Sequence, residues 1–155
     1  MALKPDRVEH LTDLSFFLDE VAERGKFLIV STAGSGAAMD DSSAKAAVAT
    51  GSGKPLGLLL NDVVNLDLTR QHINFHKDEV QKGSKVLILR RGTVVTNVIE
   101  TGKSPTAGDI AYYKADGELT TDVDSTPVGQ FLSSKDADGY AKVEINVIPN
   151  VYGET

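Results

Sequence analysis

The stretch that decides the fold runs Pro127-Val128-Gly129-Gln130-Phe131-Leu132-Ser133-Ser134-Lys135-Asp136-Ala137-Asp138-Gly139-Tyr140-Ala141-Lys142-Val143-Glu144-Ile145-Asn146-Val147. Its second half alternates without a fault. Ala141, Val143, Ile145 and Val147 fall on one face of an extended chain, and Tyr140, Lys142, Glu144 and Asn146 on the other. A period of two marks a strand with one buried face. Asp136 to Gly139 carries turn chemistry, and Val128 to Ser133 supplies the partner strand, so the segment reads as a β-hairpin.

Similar signals lie upstream. Gly108 to Tyr113 and Glu118 to Val123 flank Lys114-Ala115-Asp116-Gly117 and predict a hairpin. Lys85 to Arg90 and Thr93 to Glu100, divided by Arg91-Gly92, predict another. Lys26 to Ser31, Ala46 to Thr50, Leu56 to Leu60 and Val63 to Thr69 read as earlier strands. Turn signals about 8–12 residues apart suit an all-β barrel or sandwich. The expectation is therefore a mainly β protein, a small β-barrel or β-sandwich of hairpins.

The N-terminus breaks this pattern. Leu11, Leu14, Phe17, Leu18 and Val21 recur at helical spacing, with Thr12 or Asp13 as N-cap and Gly25 as terminator, predicting one short helix over Thr12–Arg24. Its apolar stripe would pack on the protein's own core or lie on a partner. Thr32 to Ala44 is small and polar and reads as a loop. The expected organisation is an N-terminal arm over 1–44, holding the helix and loop, and a β-domain over 45–155.

At 155 residues the chain can bury about 70% of its unfolded surface as one domain. Sixteen basic against 22 acidic residues leave a net charge of −6, which disfavours nucleic-acid phosphates as a partner. The absence of cysteine excludes disulfides and thiolate zinc sites. Met1 to His10 is polar and shows no secretory signal, and apolar runs such as Phe27–Val30 and Leu56–Leu60 are too short to span a bilayer by helix. The expectation is a soluble protein made in a cytoplasm, with no membrane partner.

Chemistry-bearing motifs are weak. Gly102-Lys103-Ser104 ends like a phosphate-binding loop but has Asn97 where the first glycine belongs, and Gly53-Lys54 has Val48 there and Pro55 in place of Ser or Thr. His72 and His76 stand four apart, with Asp78 or Glu79 available as a third metal ligand, yet Ile73 occupies the position of a zincin glutamate. Asp136-x-Asp138-Gly139 begins like a calcium loop but puts Val147 where the twelfth-position Glu belongs. No cysteine nucleophile, serine elbow or triad pattern is present. Asp40-Asp41 and Asp122/Asp124 lie in polar, turn-like segments. No cofactor, metal or catalytic residue is expected.

A succession of segments carries a family resemblance: Lys54-Pro55-Leu56-Gly57-Leu58-Leu59-Leu60-Asn61-Asp62-Val63, Gly83-Ser84-Lys85-Val86, Arg91-Gly92-Thr93-Val94-Val95-Thr96, Gly108-Asp109-Ile110-Ala111-Tyr112-Tyr113, Pro127 to Leu132 and Asp138 to Val143. In that order, over about Gly25 to Val147, they resemble the head decoration, or capsid cement, proteins of tailed bacteriophages. The resemblance implies a non-enzymatic structural protein on the outer surface of the virion capsid. It would bind the major capsid protein, associate with itself most often as a homotrimer, with dimers and monomers also known in such proteins, and reach out with an N-terminal arm. Leu11, Leu14, Phe17, Leu18 and Val21 are then the candidate capsid-contact residues. The competing reading is a β-sandwich recognition module for a receptor or carbohydrate, with Tyr112 and Tyr113 as stacking platforms. Against it, the chain has no Trp and only nine Phe plus Tyr.

Overall fold

A computed structural model describes residues 3, 4, 6–36, 43–62, 79–123 and 126–147. These form twelve strands and no helix. They are β1 (Val8–Asp13), β2 (Phe17–Leu18), β3 (Ala22–Glu23), β4 (Phe27–Ala33), β5 (Ala44–Val48), β6 (Pro55–Asp62), β7 (Glu79–Val80), β8 (Val86–Thr96), β9 (Ile110–Tyr113), β10 (Leu119–Thr120), β11 (Pro127–Phe131) and β12 (Ala141–Asn146). Ten build one sheet in the order β10-β9-β11-β12-β8-β6-β4-β5-β2, with β1 on β8, while β3 pairs β7. The mainly β expectation is met. The segments expected at Val63–Thr69 and at His72, His76 and Asp78 lie outside the described residues.

β8 is the strand on which the rest is hung. Ile88 and Leu89 pair with Leu59 and Leu58 of β6 and also with Asp13 and Thr12 of β1. Arg91 to Thr93 pair with Asn146 to Glu144 of β12 and again with β1. A residue has two edges only, so β6 and β12 follow each other along one edge of β8 and β1 runs along the other.

The hairpin expected at Arg91-Gly92 is therefore absent, and β8 passes straight through. Gly92 is a strand-interior glycine used for close approach. A Cβ there would meet the Val8 carbonyl oxygen at 2.2 Å.

A bulge keeps β8 in phase with the core. Leu11 pairs with Arg91 and Thr12 with Leu89, leaving Arg90 without a partner on β1. Its guanidinium donates to the Leu56 carbonyl at 2.9 Å. One extra residue exchanges the faces of everything after it. Leu87 and Leu89 face the larger apolar cluster before the bulge, and Val94 faces the same cluster after it.

That larger cluster, on the inner face, gathers Phe27, Leu58, Leu60, Leu89, Val94, Tyr113, Phe131, Val143 and Ile145. The outer face of β4, β6 and the first half of β8 carries a second cluster of Leu28, Leu56, Leu59, Val86 and Ile88, capped by Leu18, Ala22 and Val80. Strands buried on both faces read as continuous apolar runs, which is why Phe27–Val30 and Leu56–Leu60 do not alternate.

The sheet curls but is not closed into a barrel. Its β9–β10 hairpin tip reaches β4, where the Phe27 N–H donates to the Gly117 carbonyl at 2.8 Å. Gly117 has φ +67, and a Cβ on it would meet the Phe27 backbone nitrogen and oxygen at 2.9 Å. The free edge of β10 is taken by its own chain: Glu100 N–H donates to the Leu119 carbonyl at 2.8 Å and Leu119 N–H to the Val98 carbonyl at 3.1 Å. No ladder position remains there for a closing strand.

The N-terminal helix is also corrected to extended chain. An isolated helix of this length is marginal in water, whereas β8 and β5 offer unpaired backbone groups that need partners. Phe17 and Leu18 pair in parallel with Lys45 and Ala46. Leu18 N–H donates to the Ser84 carbonyl at 2.9 Å, Asp19 N–H to the Ala46 carbonyl at 2.8 Å, and Val86 N–H to the Phe16 carbonyl at 3.2 Å. Extended geometry satisfies this backbone on two sides and still drops Leu18 and Ala22 into the second cluster.

Candidate interaction surface

Losing the helix divides the five residues of its stripe. Leu11 is 55% exposed on β1 and Val21 is 50% exposed after β2. Leu14 is half-buried, and Phe17 is half-buried beneath the Lys85 ammonium, 5.5 Å from its ring centroid. Leu18 is fully buried. These side chains share no single face.

A larger surface takes the place of that stripe. Registered partners in antiparallel strands point to the same side of a sheet. Ile110 pairs with Gln130, Gln130 with Glu144, Glu144 with Thr93, and Thr93 with Val8, forming one row across β9, β11, β12, β8 and β1. A second row runs Asn146, Arg91, Leu11. Lys142 with Val95 begins a third. Among the described residues nothing caps this outer face beyond the Arg90 bulge in the way Leu18 and Val80 cap it further down. Its centre is polar with alternating charge (Arg91, Lys142, Glu144), and its margins are apolar. Val8 and Ile110, each 50% exposed, stand at opposite ends of one row.

Half of this surface was legible as the polar half of the alternation, Lys142, Glu144 and Asn146. Val8, Arg91 and Ile110 were missed. Nothing in their local sequence marks them, because only the cross-strand register brings them together.

Below the open face, an ionic cluster fastens the 98–103 segment to the β9–β10 hairpin. Glu100 takes a hydrogen bond from the Lys114 ammonium and another from the Thr120 hydroxyl at 2.6 Å. Lys103 pairs with Asp122 at 2.6 Å. The Lys114 hydrogen bond, then that of Thr120, holds the Glu100 carboxyl below the usual carboxylate range. Hydrogen bonds to Glu100 and Asp122 respectively raise Lys114 and Lys103. The Gly102-Lys103-Ser104 fragment is part of this fastening, with Gly102 at φ +87 in a turn.

The remaining motifs resolve as follows. One Asp136 carboxylate oxygen accepts the Asp138 and Tyr140 N–H groups, each at 2.9 Å, so it closes the β11–β12 connection as an Asx turn. Among the described residues no group of three His, Cys, Asp or Glu is placed to hold a metal. Tyr112 and Tyr113 are buried. Tyr113 stacks on Phe27 at 5.1 Å between centroids, and its hydroxyl donates to the Gly53 carbonyl at 3.2 Å. Neither ring offers an open stacking platform.

An open, curled sheet with one solvent-facing half and structural ion pairs defines an all-β scaffold. Comparison with protein families identifies it further: residues 18–146 match the phage structural cement proteins (E217 gp24/Pam3 gp6), and the chain belongs to that family. Compared with curated proteins, it matches none.

Proposed function

We propose that this protein binds the outer surface of the assembled phage head as a homotrimer and stabilises contacts between major capsid protein subunits. The family match over 18–146 carries this reading. It runs from Leu18 at the end of β2 through β12 and holds every buried member of the inner cluster except Leu3. The open outer face and the exposed Leu11 and Val21, joined by Val8, supply the contact.

A clamp of this kind works by adding binding free energy across a joint that would otherwise open. Modest contacts repeated around a symmetric shell sum through avidity. The net charge of −6 directs the surface toward protein rather than nucleic acid. The test is co-sedimentation of the folded protein with expanded, undecorated heads. Saturable binding is expected; failure of folded protein to bind overturns the reading.

A further inference from the structure

We propose that β1 is an exchangeable strand, and that a second copy of this chain can place its own β1 on the β8 edge. The proposal rests on the self-association reading above and gives it a structural route.

Four observations point there. First, five of the six β1 residues are exposed, and none belongs to either apolar cluster. The strand itself is held by its ladder to β8, and the one apolar anchor of this end is Leu3, before β1, which is buried in the inner cluster and bridged to Thr96. Segments with so few buried contacts open at lower free energy than the core. Second, the family match begins at Leu18, so the matched body contains β8 and its edge while β1 lies before it. Third, β1 leaves the body through a local hinge. Asp13 accepts the Ser15 N–H at 3.0 Å and the Ser15 hydroxyl at 2.8 Å, a local turn that shares no hydrogen bond with the Phe16–Leu18 contacts. Fourth, the β8 edge is selective. Leu11 sits against Arg91, Thr12 against Leu89, and Gly92 admits the Val8 carbonyl.

The occupant that meets all of these requirements is β1 itself, and a second copy carries the identical strand. Exchange replaces every intrachain ladder bond with its twin, so its cost is confined to the hinge and to bringing two chains together. Exchange passed cyclically from copy to copy would tie the homotrimer together without any new interface chemistry.

The chain has no cysteine, which makes exchange directly readable. Two chains of different tag mass, one Val8→Cys and one Thr93→Cys, are mixed, incubated and oxidised. Antiparallel partners lie within disulfide reach. A mixed-mass covalent dimer is expected, in several-fold excess over that formed when Val95→Cys replaces Thr93→Cys. Equal yields from both mixtures overturn the proposal. Independently, the native chain is examined by native mass spectrometry. An oligomer is expected, and an oligomer that gives equal disulfide yields from both mixtures overturns exchange while leaving self-association standing. A native chain that stays monomeric overturns both.

Discussion

The carbonyl oxygen of Val8 stands 2.2 Å from where a Cβ on Gly92 would lie. The N-terminal strand and the central strand thus meet at a point that tolerates no side chain. Gly92→Ala forces β1 away from β8 or distorts β8 itself. A loss of about 1–3 kcal/mol is expected from such overpacking, read in urea denaturation, with faster amide hydrogen exchange across residues 8–13. Unchanged exchange there would show that the approach is looser than described.

Phe27 and Tyr113, stacked at 5.1 Å, join the two ends of the curled sheet. Phe27→Ala should cost about 3–5 kcal/mol through the cavity it leaves. Tyr113→Phe keeps the ring and removes the hydrogen bond to the Gly53 carbonyl, so about 0.5–1.5 kcal/mol is expected. Equal costs for the two variants would mean that the stack does not hold the inner cluster together.

The ionic cluster makes stability depend on pH at both extremes. Glu100 has its pKa lowered in the fold, so its contribution is fully present above the ordinary value of 4.5 and is lost as pH falls through the folded value below it. Lys103 and Lys114 are raised, so theirs is present below 10.5 and lost as pH climbs through the folded values above it. Glu100→Gln should flatten the acid limb of a stability–pH curve, and Lys114→Met the alkaline limb. An acid limb identical to that of the native chain would count against the Glu100 assignment.

Leu11→Asp and Val21→Asp, at exposed positions, should shift stability by less than about 0.5 kcal/mol. Each should reduce co-sedimentation with undecorated heads several-fold. Leu18→Ala should instead cost about 2–5 kcal/mol, since Leu18 belongs to the second cluster. Native-level binding by both aspartate variants would rule Leu11 and Val21 out of the contact.

Local pattern was readable wherever one face of a strand meets water. Ala141, Val143 and Ile145 turn inward as their alternation requires, and the β9–β10 hairpin closes at Lys114–Gly117 as its glycine and aspartate suggest. Reading failed where tertiary context outweighed the local signal. Leu11, Leu14, Phe17, Leu18 and Val21 keep a helical period, yet their backbone is claimed by β8, the 84–86 segment and β5. Arg91-Gly92 has the composition of a turn, but that glycine serves a neighbouring strand distant in sequence. The outer face shows the same limit, because a row made from five strands has no one-dimensional signature.

The unmatched Arg90 also governs which changes in length this chain can absorb. Substituting it removes one hydrogen bond to Leu56. Deleting it would turn Val94 outward and Arg91, Thr93 and Val95 inward in a single step. β8 therefore behaves like a reading frame, forgiving of altered letters and intolerant of a missing one. Peptides for display on this scaffold belong in the exposed turns at Thr101–Gly102 or Asp136–Asp138, where an added residue leaves that frame intact.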